Sequence, residues 1–114
     1  MDVREELLSS IRDVPDFPKP GILFRDITPI LENPTVSRAV VNEMMHQFEG
    51  LKIDAVAGIE SRGFLFGLPL AMEMNVPFIA IRKKGKLPAE TVEYSYDLEY
   101  GSATIEMHRG VVEP

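Results

Sequence analysis

IDAVAGIESRGFLFGLPLAMEMNVPFIAIR, residues 53–82, decides the fold of this 114-residue chain. Its two terminal runs, 53–59 and 76–82, are continuously rather than alternately apolar, which is typical of strands covered on both faces. The segment between them, residues 64–74, is apolar all round and predicts a buried helix. A strand, a helix and a second strand in this order form a βαβ unit, which predicts an α/β fold with a parallel sheet and flanking helices.

Two further helices are predicted before this unit. A four-residue apolar repeat indicates the first helix, along which the apolar side chains are Val3, Leu7 and Ile11. The stretch PDFPKPG, residues 15–21, holds three prolines and one glycine and predicts a stiff loop after that helix. Asn33 is a favoured N-cap and Pro34 a favoured first helical residue, so the second helix is expected to begin there and to end near Gly50.

A basic loop and a hairpin are predicted after the unit. Residues 82–88 read RKKGKLP, a cationic segment that contains a glycine. The runs TVEYSY, residues 91–96, and SATIEMH, residues 102–108, are strand-like. The segment DLEYG, residues 97–101, is expected to join them as the turn of a hairpin.

Composition excludes several classes of protein. The chain has 18 acidic and 12 basic side chains, a net charge of −6, whereas a nucleic-acid groove needs a positive face. It contains no cysteine, which excludes disulfides and thiolate metal sites. No apolar run approaches the roughly 20 residues of a membrane span, and the charged N-terminus is unlike a signal peptide. These features predict a cytoplasmic protein.

The first candidate site is Glu60-Ser61-Arg62-Gly63, between the buried strand and the helix. Ligands of open parallel sheets bind beyond the carboxyl ends of the strands, where free N–H groups of the next helix favour an anion. Gly63 permits close approach of the backbone, Ser61 supplies a hydroxyl donor and Arg62 a forked cationic donor. A plain helix start with an outward arginine is the alternative interpretation, and the pattern alone does not separate the two.

The second candidate is the basic cluster Arg82, Lys83, Lys84 and Lys86. It follows a parallel strand directly, so it is expected at the same end of the sheet as Ser61. Two cationic loops at one sheet edge would attract a small polyanion. The alternative is a solvated loop, which is the usual fate of a run of charges.

Two further segments carry weaker signals. In Leu23-Phe24-Arg25-Asp26, which follows the proline-rich loop, the aromatic ring offers a face for a flat heterocycle, although a core phenylalanine is the commoner outcome. Glu99 and Tyr100, in the hairpin turn, could serve as an acid or base and as a lid, although a solvated turn is the default interpretation. No spacing typical of metal ligands occurs, so no metal site built by the protein is predicted.

Taken together, four segments resemble the adenine phosphoribosyltransferase family in order and spacing: PDFPKPGILFRDITPIL (15–31), DAVAGIESRGFLFG (54–67), IRKKGKLPAETV (81–92) and YSYDLEYGSATIEMH (94–108). The resemblance implies part of a type I phosphoribosyltransferase fold, with a parallel sheet, flanking helices and a β-hairpin flap. Within one incomplete domain, 1–114, it implies an N-terminal helix and base-binding hood at 1–31, an α/β core at 32–82, and a flexible loop and hairpin flap at 83–108.

That family transfers the phosphoribosyl group of phosphoribosyl diphosphate to adenine, giving AMP and diphosphate. The resemblance implies that Leu23 and Arg25 hold the edge of adenine, largely through backbone groups, while Phe24 stacks on its plane. It also implies that Glu99 is the acid or base near the purine ring, and that Tyr100 closes over the reacting centre.

The remaining implied roles concern the diphosphate. Glu60 and Ser61 correspond to the family's diphosphate loop, which commonly contains a cis peptide bond. Arg62 and Lys83 are expected to grip the leaving diphosphate, and Lys86 to reach it from a second subunit of a homodimer. Mg²⁺ is expected to be bound mainly through substrate oxygens.

The resemblance stops at Pro114, before the aspartate pair and glycine-rich loop that hold the ribose 5-phosphate in the family. Residues 1–114 alone are therefore expected to be inactive. Two other interpretations stay open: an inactive ligand-binding or dimerisation fragment of the same fold, and a phosphoribosyltransferase for another purine. The run Leu23-Phe24-Arg25 favours adenine, because the resemblance places it in the adenine branch.

Overall fold

The structure is a computed structural model that describes residues 3–99 and 101–112. In chain order, these residues form α1 (Val3–Ser10), β1 (Arg12–Pro15), β2 (Leu23–Asp26), α2 (Thr28–Leu31), α3 (Pro34–Gln47), β3 (Val56–Ile59), α4 (Arg62–Met74), β4 (Phe78–Lys83), β5 (Thr91–Leu98) and β6 (Gly101–His108). None of the helices within the described ranges is long and apolar enough to cross a bilayer. The chain divides into two compact units, Met1–Glu49 and Gly50–Pro114.

In the first unit, β1 and β2 form a short antiparallel ribbon around the proline-rich loop. The loop is closed where Phe17 N donates to Ile22 O at 3.2 Å, and where Gly21 N donates to the Asp16 carboxylate at 3.0 Å. The predicted loop is confirmed, but β1, β2 and α2 were not predicted. Each has only four residues, which is too short to display a periodic pattern.

Helix α3 begins as predicted. Asn33 is its N-cap, and the side-chain oxygen accepts hydrogen bonds from Thr35 N at 3.1 Å and from Val36 N at 3.2 Å. These bonds satisfy two of the N–H groups that every helix start leaves open. The helix ends at Gln47, three residues before Gly50, whose φ of +82° is readily adopted only by glycine.

The second unit contains the predicted βαβ arrangement. Strands β3 and β4 are parallel and α4 connects them, which confirms the α/β class. The sheet has the order β3-β4-β6-β5, because the hairpin of β5 and β6 joins it antiparallel to β4. The four-stranded sheet is therefore mixed rather than wholly parallel, and the hairpin is continuous with it.

Helix α4 packs on the sheet through its glycines. A side-chain carbon added at Gly58 of β3 would lie 2.6 Å from Gly63 O and 2.9 Å from the Phe78 ring, so only glycine fits there. Gly67 is likewise in close contact with the ring of Phe78. This close approach fixes where the turn between β3 and α4, residues 60–61, emerges from the sheet.

Two burial predictions are wrong. Strand β3 covers only Val56–Ile59 rather than 53–59, and Ile59 is 51% exposed, so the strand is not covered on both faces. On α4, Leu68 is 49% exposed and Met72 is 70% exposed, so the helix is not buried all round. The glycine face of the helix contacts the sheet, and a helix offers only one face to one sheet.

Candidate functional site

The turn after β3 and the basic loop after β4 lie at the same edge of the sheet, as predicted. Glu60 N donates to Ile81 O at 2.9 Å, which continues the parallel pairing by one residue. The Glu60 carboxylate then accepts hydrogen bonds from Lys83 N at 2.7 Å and from the Arg82 guanidinium at 3.1 Å. One side chain thus ties the two loops together.

The Glu60 carboxylate is held in its charged form. The hydrogen bond from Lys83 N lowers its pKa below the ordinary glutamate value, against the opposing effect of desolvation, and Arg82 adds to the lowering. Each oxygen of the Glu60 carboxylate accepts a hydrogen bond from one of these donors. The side chain therefore joins the loops rather than binding a ligand. The backbone around Glu60 and Ser61 is the part of this turn that a ligand could meet.

Ser61 and Arg62 form the exposed start of α4. Ser61 is the N-cap residue, yet its hydroxyl makes no capping hydrogen bond. The peptide bond between Glu60 and Ser61 is cis, as the resemblance implies. The first N–H groups of a helix, beside a free hydroxyl and an arginine, are a suitable binding place for an anion.

The basic loop turns sharply at Gly85, which has a φ of +90°. The turn is closed by a hydrogen bond from Lys86 N to Lys83 O at 3.2 Å, and both lysines are exposed. Lys84 forms an ion pair with Glu93 at 3.5 Å. Among residues 3–99 and 101–112, no such direct ion pair is seen for Lys83 or Lys86, so their charges are available to an anion.

The candidate base-binding segment belongs to the first unit. Leu23 is 52% exposed on β2, and Phe24 is half-buried with its ring centroid 5.3 Å from that of Phe17. The Arg25 side chain is largely exposed, 4.0 Å from Asp13. Phe24 is thus only partly buried, against Phe17, and its ring retains accessible surface for a flat ligand.

Asp26 stabilises the end of β2. Its carboxylate accepts hydrogen bonds from both the hydroxyl and, at 2.9 Å, the backbone N–H of Thr28. The hydroxyl bond is the main cause that lowers the pKa of Asp26, and the ion pair with Arg12 at 3.4 Å adds to it. Sequence reasoning missed this role, although an Asp side chain commonly accepts a hydrogen bond from the backbone N–H two residues on, in an Asx-turn.

The hairpin carries the remaining candidates. Glu99 is exposed in the turn that follows β5, and no hydrogen bond or ion pair joins it to another described residue. Tyr100 lies outside the described residues. The structure therefore does not bring Glu99 into contact with the cationic loops.

Glu106 of β6 is the functional candidate that sequence reasoning missed. Among the residues that the structure describes, Glu106 is the one charged residue that is buried, with 5% of its surface exposed. Its carboxylate accepts hydrogen bonds from the basic loop. Residues 102, 104, 106 and 108 of β6 are all polar, which marks one face of the strand as polar. That alternation could have indicated the face, but not which member of it is buried.

Comparisons with known proteins agree on one family, although no protein-family model matches the chain. The adenine phosphoribosyltransferase of Rhizobium meliloti is 53% identical over 112 residues, which are 98% of this chain and 62% of the relative. The solved adenine phosphoribosyltransferase of Thermoanaerobacter pseudethanolicus is 48% identical, with a TM-score of 0.88 over 94% of this chain and 62% of its own.

A third relative was solved with ligands. The adenine phosphoribosyltransferase of Trypanosoma brucei, in complex with AMP, pyrophosphate and ribose-5-phosphate, is 30% identical, with a TM-score of 0.81 over 96% of this chain and 49% of its own. The chain therefore spans between about half and two-thirds of the length of these three relatives.

Proposed function

The chain belongs to the adenine phosphoribosyltransferase family, and we propose that the full-length protein transfers the 5-phosphoribosyl group of phosphoribosyl diphosphate to adenine. The products would be AMP and diphosphate, a reaction of purine salvage. The observation that carries the proposal is the Glu60 carboxylate bound to Lys83 N and Arg82, because it joins an anion-binding helix start to a cationic loop. This edge of the sheet, formed by residues 60–62 and 82–86 and here called the rim, suits a leaving diphosphate because its charge is positive.

In this proposal the diphosphate binds at the edge of the sheet. The loop at Glu60 and Ser61 binds its oxygens through the Ser61 N–H and hydroxyl, since the Glu60 N–H is already bonded to Ile81 O. Arg62 and Lys83 bind it by charge, and Lys86 reaches it from a second subunit. The exposure of these cations and the absence of a direct ion pair at Lys83 and Lys86 within the described ranges support their assignment. Charge-assisted hydrogen bonds of this kind are the strong ones.

Adenine is assigned to the ribbon of the first unit. Backbone groups of Leu23 and Arg25 would bind the edge of the base, and the Phe24 ring would stack on its plane. The partial exposure of Phe24 supports the stacking role, since a fully buried ring could not touch a ligand.

The reaction breaks the bond between the anomeric carbon of ribose and the diphosphate oxygen, and forms a bond from that carbon to N9 of adenine, which gives up its proton to a base. Positive charge develops on the ribose carbon and negative charge on the departing diphosphate. Cations already held at the rim stabilise that negative charge without reorganising, which is the most effective form of electrostatic catalysis. Glu99 is proposed as the acid or base near the purine, and Tyr100 as the residue that closes over the centre and excludes water.

Mg²⁺ is proposed to be bound mainly through substrate oxygens, where it would neutralise charge on the diphosphate. The donors at the rim are lysine, arginine, hydroxyl and amide groups, which suit an oxyanion that carries Mg²⁺ rather than the cation itself. Within residues 3–99 and 101–112, no group of three His, Asp or Glu side chains could hold a metal ion.

A cytoplasmic location and a homodimer are parts of the same proposal. Lys86 can complete a second active site only if two copies of the chain associate. Sedimentation velocity of the full-length protein at micromolar concentration should therefore give twice the mass of one full-length subunit. Cell fractionation should recover the protein with the cytoplasm.

The function is tested by AMP formation from phosphoribosyl diphosphate, using the full-length protein that carries this chain. Adenine should be converted, and hypoxanthine, guanine and xanthine should not. Glu99→Ala should lower kcat by about 100-fold, the usual scale for loss of an acid or base. Asp97→Ala, an exposed carboxylate on the same hairpin, is the matched control and should retain activity.

Two results would contradict the proposal. If the full-length protein binds diphosphate but forms no AMP, it is a ligand-binding module rather than an enzyme. If Glu99→Ala retains the wild-type kcat, Glu99 is not the acid or base.

A further inference from the structure

The basic loop is held from behind by a buried carboxylate on β6. Glu106 is 5% exposed, and one of its oxygens accepts hydrogen bonds from Gly85 N at 3.1 Å and from Leu87 N at 3.0 Å. The other oxygen accepts a hydrogen bond from the Thr91 hydroxyl at 3.3 Å. Glu106 is therefore bound to the backbone on both sides of Lys86.

Neighbouring residues of β6 hold the loop at further points. Thr104 O accepts a hydrogen bond from Lys84 N at 3.0 Å, and the His108 ring nitrogen Nε2 lies 2.8 Å from Pro88 O. The bond to Thr104 O continues the backbone pairing of β4 with β6, whereas the side chains of Glu106 and His108, two positions apart on one face of the strand, both reach the loop. These contacts reach the backbone of the loop and do not engage the side chains of Lys83 or Lys86.

The burial of Glu106 and the shape of the loop depend on each other. A buried charge is costly unless donors surround it, and here the donors are N–H groups that converge only when the loop turns at Gly85. If the loop opened, the carboxylate would lose those partners. Backbone donation from Leu87 is the main cause that lowers the pKa of Glu106, so the group stays charged near neutral pH.

We propose that Glu106 is a positioning residue for diphosphate recognition, which holds the basic loop in the turned conformation that presents Lys83 and Lys86 to the ligand. This inference rests on the proposed function. A loop that is ordered before binding does not lose conformational entropy on binding, so its cations bind the anion more tightly. Glu106 itself does not touch the substrate.

Two substitutions at one position separate geometry from charge. Glu106→Ala removes every acceptor. Glu106→Gln removes the charge but can retain the oxygen that accepts from Gly85 N and Leu87 N, while its amide group donates to the Thr91 hydroxyl. Glu93→Ala is the matched control, because Glu93 lies directly opposite Glu106 in the hairpin and its side chain forms an exposed ion pair with Lys84 rather than bonds to the loop backbone seen in the described part of the chain.

In the full-length protein, Glu106→Ala should raise the KM for phosphoribosyl diphosphate by about tenfold, while the KM for adenine and kcat change less than about threefold. Glu106→Gln should restore the KM to within about threefold of wild type, because it keeps the loop bonds. Glu93→Ala should match wild type. A purely structural role would instead change the KM of both substrates together, so the selectivity of the KM change, and not a lower melting temperature, separates the two roles.

A second measurement does not depend on catalysis. Hydrogen exchange should show the amides of Gly85 and Leu87 protected in wild type and Glu106→Gln, and unprotected in Glu106→Ala. Affinity for inorganic diphosphate should follow the same order. If the wild-type protein forms no AMP, the proposed function is wrong. Hydrogen exchange and diphosphate affinity still test whether Glu106 holds the loop. Wild-type protection or wild-type diphosphate affinity in a folded Glu106→Ala variant would overturn the inference, as would a Glu106→Gln variant as impaired as Glu106→Ala.

Discussion

At the scale of single residues, two glutamates enclose the basic loop. Glu60 binds Lys83 N from one side, and Glu106 binds Gly85 N and Leu87 N from the other. Glu60 also binds the Arg82 guanidinium and Glu106 the Thr91 hydroxyl, and within the described ranges neither carboxylate forms a direct ion pair with a lysine. The loop is thus shaped by negative charge, while the cations of Lys83 and Lys86 stay available to a ligand.

Glu60→Ala should weaken the binding of inorganic diphosphate by about tenfold, because Lys83 N loses a charged acceptor and Arg82 loses its ion pair. Isothermal titration calorimetry measures the change. Asp54→Ala removes the same charge from an exposed pair with Lys52 and should retain the wild-type affinity. Equal affinities for the two variants would show that Glu60 does not shape the site.

Acid should destabilise the protein partly through Glu106. Its pKa is lower in the folded than in the unfolded chain, so its stabilising effect is complete above the unfolded value, about 4.3. The effect is lost as the pH falls through the folded pKa. The melting temperature of wild type should therefore fall more steeply below about pH 4.3 than that of Glu106→Gln, as followed by circular dichroism. Parallel curves for the two proteins would contradict this assignment.

At the scale of elements, the position of the anion-binding turn depends on how closely α4 approaches β3. Gly58 and Gly63 allow the helix and strand backbones to meet, and Phe78 fills the adjoining space against Phe64. The N-cap of α3 and the hairpin were predictable because each is encoded within a few neighbouring residues. The ribbon of β1 and β2 was not, because strands of four residues are too short to show a periodic pattern.

Gly58→Ala should lower the free energy of unfolding by about 1–3 kcal/mol, the usual cost of overpacking a tight contact. The added carbon would lie 2.6 Å from the backbone oxygen of Gly63, and backbone cannot move aside as a flexible side chain can. Urea denaturation measures the change. Ala57→Ser, at the exposed neighbouring position, is the control and should stay within about 0.5 kcal/mol of wild type.

At the scale of the whole molecule, charge is distributed unevenly. The chain carries a net charge of −6, yet four of its 12 basic residues lie between positions 82 and 86. General repulsion by an acidic protein would oppose the binding of an anion, so recognition depends on the local field of this loop. Local fields at exposed sites are screened by salt.

Raising the salt concentration from about 0.05 to 0.5 M should weaken diphosphate binding several-fold in the full-length protein, because the Debye length falls from about 14 to 4 Å. Adenine is neutral, so its affinity should change little over the same range. Titrations of the two ligands in matched buffers provide the comparison. A diphosphate affinity that is independent of salt would count against a cationic binding site.

The sequence by itself determined the α/β class, the cap of α3, the hairpin and the position of both cationic loops, because each depends on local pattern or on the order of elements. Tertiary structure alone decided the bond from Glu60 to Lys83 N, the burial of Glu106 and the exposed face of α4. These features join residues that are about 20 positions apart or depend on which face packs. One sequence pattern is compatible with several such pairings, and only the folded chain selects among them.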